Sequence, residues 1–318
     1  MEYSYFFYHY AITALVVSVN AISVGLGDGF LSISALQAAQ TQPHAKPEIF
    51  RTLLLGLALI ETTAVVGLVI GLMLFTTNLE TFSEYAYYGQ LGIGFAICFS
   101  GAVIGFVSAY PAREACFAVA RQPFFGRKIQ LLMLLTLSLM QTPIIFAFII
   151  ALLIKGQLAE ANTLGEALRL IGSGVCIGVG SIGPALGLAA FSKAVCRSIG
   201  TNRQAYPQLF QFTLFSEALI ESPLIFTFVV SIIILQMRTQ EPLNFIEGIG
   251  FLTAGLCMGL GTVGPGIGSG NVASGAATQI ALTPQHFSSI MRTSLLGQVL
   301  IETSAIYALI IAIIIIFR

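Results

Sequence analysis

The chain has 318 residues, 56% of them apolar and only 9% charged, and its 14 basic and 14 acidic side chains leave no net charge. Its mean hydropathy is +0.90. A soluble domain is about one quarter charged, so this composition excludes a cytosolic enzyme, a disordered chain and a nucleic-acid binder, and leaves an integral membrane protein.

Apolar stretches near residues 7–39, 48–76, 87–119, 128–155, 165–198, 207–237, 245–281 and 285–317 follow one another along the chain. A helix crosses the hydrocarbon layer with about 20 apolar residues. The expected fold is therefore all-α, with eight transmembrane helices and almost no polypeptide for a soluble domain. The N-terminus, MEYSYFFYHY, lacks the basic n-region of a secretory signal, so the first helix is expected to be retained. Cys98, Cys116, Cys176, Cys196 and Cys257 lie in or at the edge of apolar runs, which indicates neither a disulfide framework nor a zinc site.

Basic residues are unevenly placed. Lys46, Arg51, Arg113, Arg121, Arg127, Lys128, Lys193, Arg197, Arg203 and Arg292 surround the connections after the first, third, fifth and seventh helices. The opposite side has Lys155, Arg169, Arg238 and Arg318. The positive-inside rule puts the first set in the cytoplasm and both termini outside.

The chain also repeats itself. ALIETTAVVG (58–67), SLMQTPIIFA (138–147), ALIESPLIFT (218–227) and VLIETSAIYA (299–308) align, which brings Glu61, Gln141, Glu221 and Glu302 into register at near-equal intervals. Each unit contains two helices, which divides the chain into tandem hairpins at 1–79, 80–159, 160–240 and 241–318. All four units then enter the membrane in one direction. Inverted-repeat transporters need an odd number of helices per unit and are disfavoured.

Small residues fill the first helix of each unit. Gly174, Gly178, Gly180, Gly183 and Gly187 return as Gly255, Gly259, Gly261, Gly264 and Gly268, and the first unit has Ala14, Ser18, Asn20, Ser23 and Gly27. The second unit is looser, with Gly94, Cys98 and Ser100 but then Val103 and Val107. Small faces let helices approach where lipid supplies no hydrophobic drive, so an inner layer of closely packed helices and an outer layer of bulky ones is expected. Between the two helices, Pro43, Pro123 and Pro284 stand at one constant interval before Glu61, Gln141 and Glu302. Proline ends or bends a helix, and a tight polar turn belongs there. The third unit instead reads Gly200-Thr201-Asn202-Arg203.

A glycine-rich helix, a polar loop such as Ala120-Arg121-Gln122-Pro123 and a second helix with one mid-membrane carboxylate resemble the c subunit of rotary ATP synthases, four times over. The loop and its distance to the second-helix position resemble the F-type family. The fusion of hairpins is more familiar in the V- and A-type proteolipids, which remain the alternative. A hairpin-repeat channel is a third reading, but it would need a polar stripe along a pore-lining helix. The first helices show small apolar residues instead.

A charged group at the bilayer centre costs several kcal/mol, so an intramembrane acid is functional by default. A neutral, hydrogen-bonded packing role is the bland reading of one such acid, and three at equivalent positions weigh against it. The resemblance implies that Glu61, Glu221 and Glu302 carry H+ or Na+, hide their charge while facing lipid, and discharge beside the arginine of a stator a subunit. No other cofactor and no bond chemistry are expected. Gln141 cannot exchange a proton, and it makes the second hairpin a structural member. Fewer ions per turn lean toward ATP-driven pumping.

For sodium, Thr62, Thr142, Ser222 and Thr303 follow the key residues. They could serve as ligands or bond back to helix carbonyls. The first-helix position at which that family often carries a further ligand is Asp28, Ser108, Leu188 and Ser269, so only an incomplete ligand set is implied. Glu217 and Tyr307 are further possible supporting groups. The resemblance also implies that central-stalk subunits touch the loops at Gln42, Pro43, Arg121, Gln122, Asn202 and Thr283. It implies too a closed ring in a bacterial cytoplasmic membrane. Four hairpins per chain favour three copies, with a separate single-hairpin protein in the ring as the alternative.

Overall fold

The computed structural model describes residues 2–77, 83–237 and 242–318, so Arg238 of the charge count lies outside the described residues. Eight helical segments are long and apolar enough to span a membrane, and no strand occurs among the described residues. The first unit consists of α1 (Glu2–Thr41) and α2 (Lys46–Phe75). In the second, one span is α3 (Glu84–Val107) and α4 (Ala109–Arg121), and the return span is α5 (Gly126–Met140) and α6 (Thr142–Gln157). The third unit consists of α7 (Leu164–Gly180), α8 (Ile182–Thr201) and α9 (Tyr206–Gln236), and the fourth of α10 (Phe245–Leu282) and α11 (Phe287–Ile316).

The spans interrupted at Ser108, Gln141 and Ser181 have Pro111, Pro143 and Pro184 just beyond the break. A proline removes the bond to the fourth preceding carbonyl, and the structure re-uses some of those carbonyls. Pro184 frees the Gly180 carbonyl, and Thr262 Oγ1 of the fourth unit donates to it at 3.2 Å. Within α9, Pro223 frees the Leu219 carbonyl, which accepts from Ser222 Oγ at 2.9 Å without a break in the helix.

The glycine-rich spans form an inner row in chain order, α1 beside α3/α4, then α7/α8, then α10, and the bulkier α2, α5/α6, α9 and α11 pack outside it. Backbones touch in this row. A methyl group added at Gly27 would meet the Gly105 carbonyl, at Gly174 the Gly92 backbone, at Gly255 that of Gly172, and at Gly187 that of Gly266. The second unit, read from sequence as looser, joins the row through Gly92, Gly101 and Gly105. Polar side chains stitch the same seams: Ser23 Oγ donates to the Ala102 carbonyl at 2.7 Å, and the Ser181 and Ser100 hydroxyls meet at 2.9 Å.

All four polar loops close as a 3-10 turn, at Pro43–Ala45, Pro123–Phe125, Arg203–Ala205 and Pro284–His286. The third loop lacks proline, and there Asn202 Oδ1 accepts from the Gln204 amide at 3.0 Å and holds the turn.

The ends of the row differ from its middle. Gly25 on α1 and Gly250, Gly264 and Gly275 on α10 have nothing near the position of an added methyl group. Gly174→Ala is therefore expected to destabilise the chain by about 1–3 kcal/mol through overpacking, whereas Gly264→Ala leaves it unchanged. Thermal unfolding of the detergent-monomerised chain measures both.

Candidate functional site

The key residues stand in register on the outer helices, which pack on their own inner span and, for the first three units, on the inner span of the following unit, with smaller contacts between successive outer helices. Gln141 is buried. Its Oε1 accepts from Thr63 Oγ1 of the first unit at 3.2 Å, and its Nε2 donates to Ser108 Oγ of its own inner span at 3.4 Å. Both ends of the amide are thus used between two helices.

The carboxylates sit differently. Glu61 is exposed, and Glu221 and Glu302 are half-buried. Asp28 lies close enough to Glu61 for the two carboxylates to repel each other. Thr142 of the second unit lies near Glu221. At Gln141 the preceding outer helix thus supplies a hydroxyl to the key residue. Glu61, on the first outer helix of the chain, has no preceding unit, which accounts for its exposure.

Polar atoms at the three carboxylate levels remain unsatisfied. Asp28 Oδ1, Glu221 Oε1, Glu217 Oε2 and Ser269 Oγ are buried without a hydrogen-bond partner. Buried polar groups are normally paired. These oxygens are all acceptors or hydroxyls, the donor set of a hard monovalent cation or of a carboxyl proton. Among the described residues, the Gln141 level has no such orphan.

The hydroxyls after the carboxylates bond backwards. Thr62 Oγ1 donates to the Leu59 carbonyl at 2.6 Å, Ser222 Oγ to Leu219 at 2.9 Å and Thr303 Oγ1 to Leu300 at 2.7 Å. This leaves their lone pairs free, so back-bonding and cation ligation are compatible roles. Leu188 is fully buried and offers no ligand. Tyr307 is exposed. Among the described residues no cluster of three His, Cys, Asp or Glu is placed to hold a metal ion.

The loop residues also divide. Gln122 Nε2 donates to the Gly200 carbonyl at 3.0 Å, and Asn202 Nδ2 to Ala281 at 2.8 Å, so these amides tie one loop to the next. Arg121 and Pro43 are exposed, and Gln42 and Thr283 are half-buried. Thr283 Oγ1 bonds its own helix at Gln279, 3.0 Å away. Sequence reasoning missed this lateral use, although the alignment of the amides Gln122 and Asn202 was a signal for it.

A family model for the C subunit of ATP synthase matches residues 11–74, 171–234 and 252–315, the stretches holding Glu61, Glu221 and Glu302. The chain is 45% identical over 62 residues to the ATP synthase c subunit of Thermotoga petrophila, covering 20% of this chain and 73% of the relative. The c subunit of Thermotoga maritima matches equally, at 45% over 62 residues. That of Prochlorococcus marinus is 42% identical over 66 residues, 21% of this chain and 82% of the relative.

Gln141→Leu is expected to cost about 1–3 kcal/mol, because Ser108 and Thr63 lose their partner in a buried seam. Denaturant unfolding in detergent measures this loss.

Proposed function

Because the chain belongs to the family of ATP synthase c subunits, we propose that it is the ring-forming rotor of a rotary ATP synthase or ATPase, and carries a monovalent cation on Glu61, Glu221 and Glu302. The observation that carries this reading is the contrast between levels. Buried oxygens without a hydrogen-bond partner stand at the levels of the three carboxylates, and hydrogen bonds are complete at Gln141. A loaded carboxylate is neutral and tolerated by lipid, and an emptied one needs an opposite charge beside it. The stator a subunit would supply that charge. The transported ion is H+ or Na+, and the back-bonded hydroxyls are compatible with either.

Rotation would pass to central-stalk subunits through the exposed loop face around Arg121 and Pro43. The positive-inside distribution supports placing these loops in the cytoplasm, in the inner membrane of a bacterium. The loop and its spacing favour the F-type over the V- or A-type, and Gln141 favours operation as an ATP-driven pump.

Ring closure follows from the two open edges of the inner row, since cyclic symmetry brings α10 of one copy against α1 of the next. It would also give Glu61 its missing preceding unit, α11 of the neighbouring copy. With four hairpins per chain, three copies give a ring of about twelve hairpins. Native mass spectrometry of the detergent-extracted ring is expected to show three chains and no second polypeptide. Another chain count, or a second polypeptide, overturns the homotrimer.

A carbodiimide, which attacks protonated buried carboxyls, is expected to modify Glu61, Glu221 or Glu302, leave no adduct at Gln141, and stop ATP-driven ion transport. Normal transport by the modified complex, or ion conduction by the purified chain alone, contradicts the rotor reading.

A further inference from the structure

Basic side chains near the hairpin loops do not follow the repeat. Arg51 on α2 recurs in register as Leu131, Gln211 and Arg292, and Arg127 on α5 as Pro47, Pro207 and Ser288. Successive outer helices therefore bring an arginine at both positions only between the first and second hairpins. There Arg51, Arg127 and Gln130 line a cavity of about 390 Å³ between α2 and α5, together with Leu55, Leu131 and Leu134. Both helices belong to the outer layer, and both arginines are exposed.

The cavity is a built one. Gln130 Nε2 lies 3.3 Å from the Glu48 carbonyl, 3.4 Å from Glu48 Oε2 and 3.1 Å from Thr52 Oγ1, which fixes α5 against α2. Arg51 donates to Glu48 Oε2 at 3.5 Å, and most of its guanidinium donors remain unused. Arg127 has neither a hydrogen bond nor an ion pair among the described residues. Lys128 beside it is engaged elsewhere, over the rings of Phe125 and Tyr206 at 5.3 and 5.2 Å. Two guanidinium groups and one carboxylate leave one positive charge at the cavity, which one phosphodiester cancels.

Depth matches a lipid. Glu61 and Gln141 stand near the centres of the spans Pro43–Phe75 and Pro123–Glu160. At 1.5 Å per residue, Arg51 and Arg127 lie about 15 and 21 Å from that level, and Leu55 and Leu134 about 10 Å. The hydrocarbon layer ends about 15 Å from its centre, so the guanidinium groups reach the headgroup zone and these two leucines stay in the acyl zone.

We propose that the cleft between the first and second hairpins is a phospholipid site, in which the phosphodiester of an anionic lipid lies between Arg51 and Arg127 and an acyl chain runs along Leu55, Leu131 and Leu134. Basic pockets between transmembrane helices hold lipid headgroups, and the guanidinium fork matches phosphate oxygens. A free phosphate would meet the arginines and leave the leucines uncovered, whereas a lipid covers both. One such lipid per chain ties the first hairpin to the second at the loop end.

The test uses the full chain, stripped of lipid in a neutral detergent and titrated with phosphatidylglycerol, with adducts counted by native mass spectrometry. One tightly held lipid per chain is expected. Arg51→Gln with Arg127→Gln is expected to weaken it about tenfold or more, and Lys128→Gln to leave it unchanged. Arg127→Gln alone breaks no bond within the chain; it weakens binding by less and carries the test if the double variant does not fold. Phosphatidylcholine, whose choline cancels the phosphate charge, is expected to bind more weakly than phosphatidylglycerol. Unchanged phosphatidylglycerol binding in the arginine variants, or equal binding of the two lipids, overturns the site. Glycerophosphoglycerol, the same headgroup without chains, is expected not to compete; displacement of the lipid at equal concentration makes this a site for free anions and overturns the lipid.

Discussion

Contact between backbones in the inner row is the constraint on which everything else depends. Lipid is as apolar as leucine, so packing, interhelical hydrogen bonds and lipid entropy drive these helices together. Gly92 against Gly174, Gly172 against Gly255 and Gly187 against Gly266 bring the spans within reach of short side chains. Only then can Ser181 meet Ser100, or Thr262 reach a carbonyl that Pro184 has released. The same proximity sets the spacing of the outer helices, and so the distance from Gln141 to the Thr63 hydroxyl of the unit before it.

The outer layer has a different task. Its helices carry their key residues in register, where lipid and the neighbouring unit compete for each side chain. Gln141 resolves that competition permanently, because an amide can donate to Ser108 and accept from Thr63 at once. A carboxylate has no hydrogen to donate unless it is protonated, so Glu221 stays incomplete at Oε1. On the proposed reading, one change of atom type separates a rivet from an exchangeable station.

Much of the fold was legible because long apolar runs and a fourfold repeat of two-helix units leave few alternatives. The key carboxylates stood out for the same reason: one acid in an apolar run, recurring in register. Partners were less legible, since they depend on the register between units. Thr63 and Gln141 belong to different hairpins, and no local pattern connects them. Alignment to the glycines of the third unit pointed to Val103 and Val107 in the second, whereas Gly101 and Gly105 make its contacts with the first. Prolines misled in another way. Pro143 and Pro184 adjoin breaks, yet Pro223 and Pro265 lie inside continuous helices, because tertiary packing decides what a missing donor does. The turn held by Asn202 was hidden by the expectation that proline makes such turns.

The fully bonded amide at Gln141 has a mechanical meaning for a turning ring. A station that neither gains nor loses charge feels no pull from a fixed cation in the stator and draws no ion from either side. As it passed, the motor would cross a sector twice the ordinary width with no electrostatic step to drive it. Torque would then arrive in bursts of three strokes followed by a coast, repeated once per chain. Elastic twist in the stalk would have to carry the load across each coast.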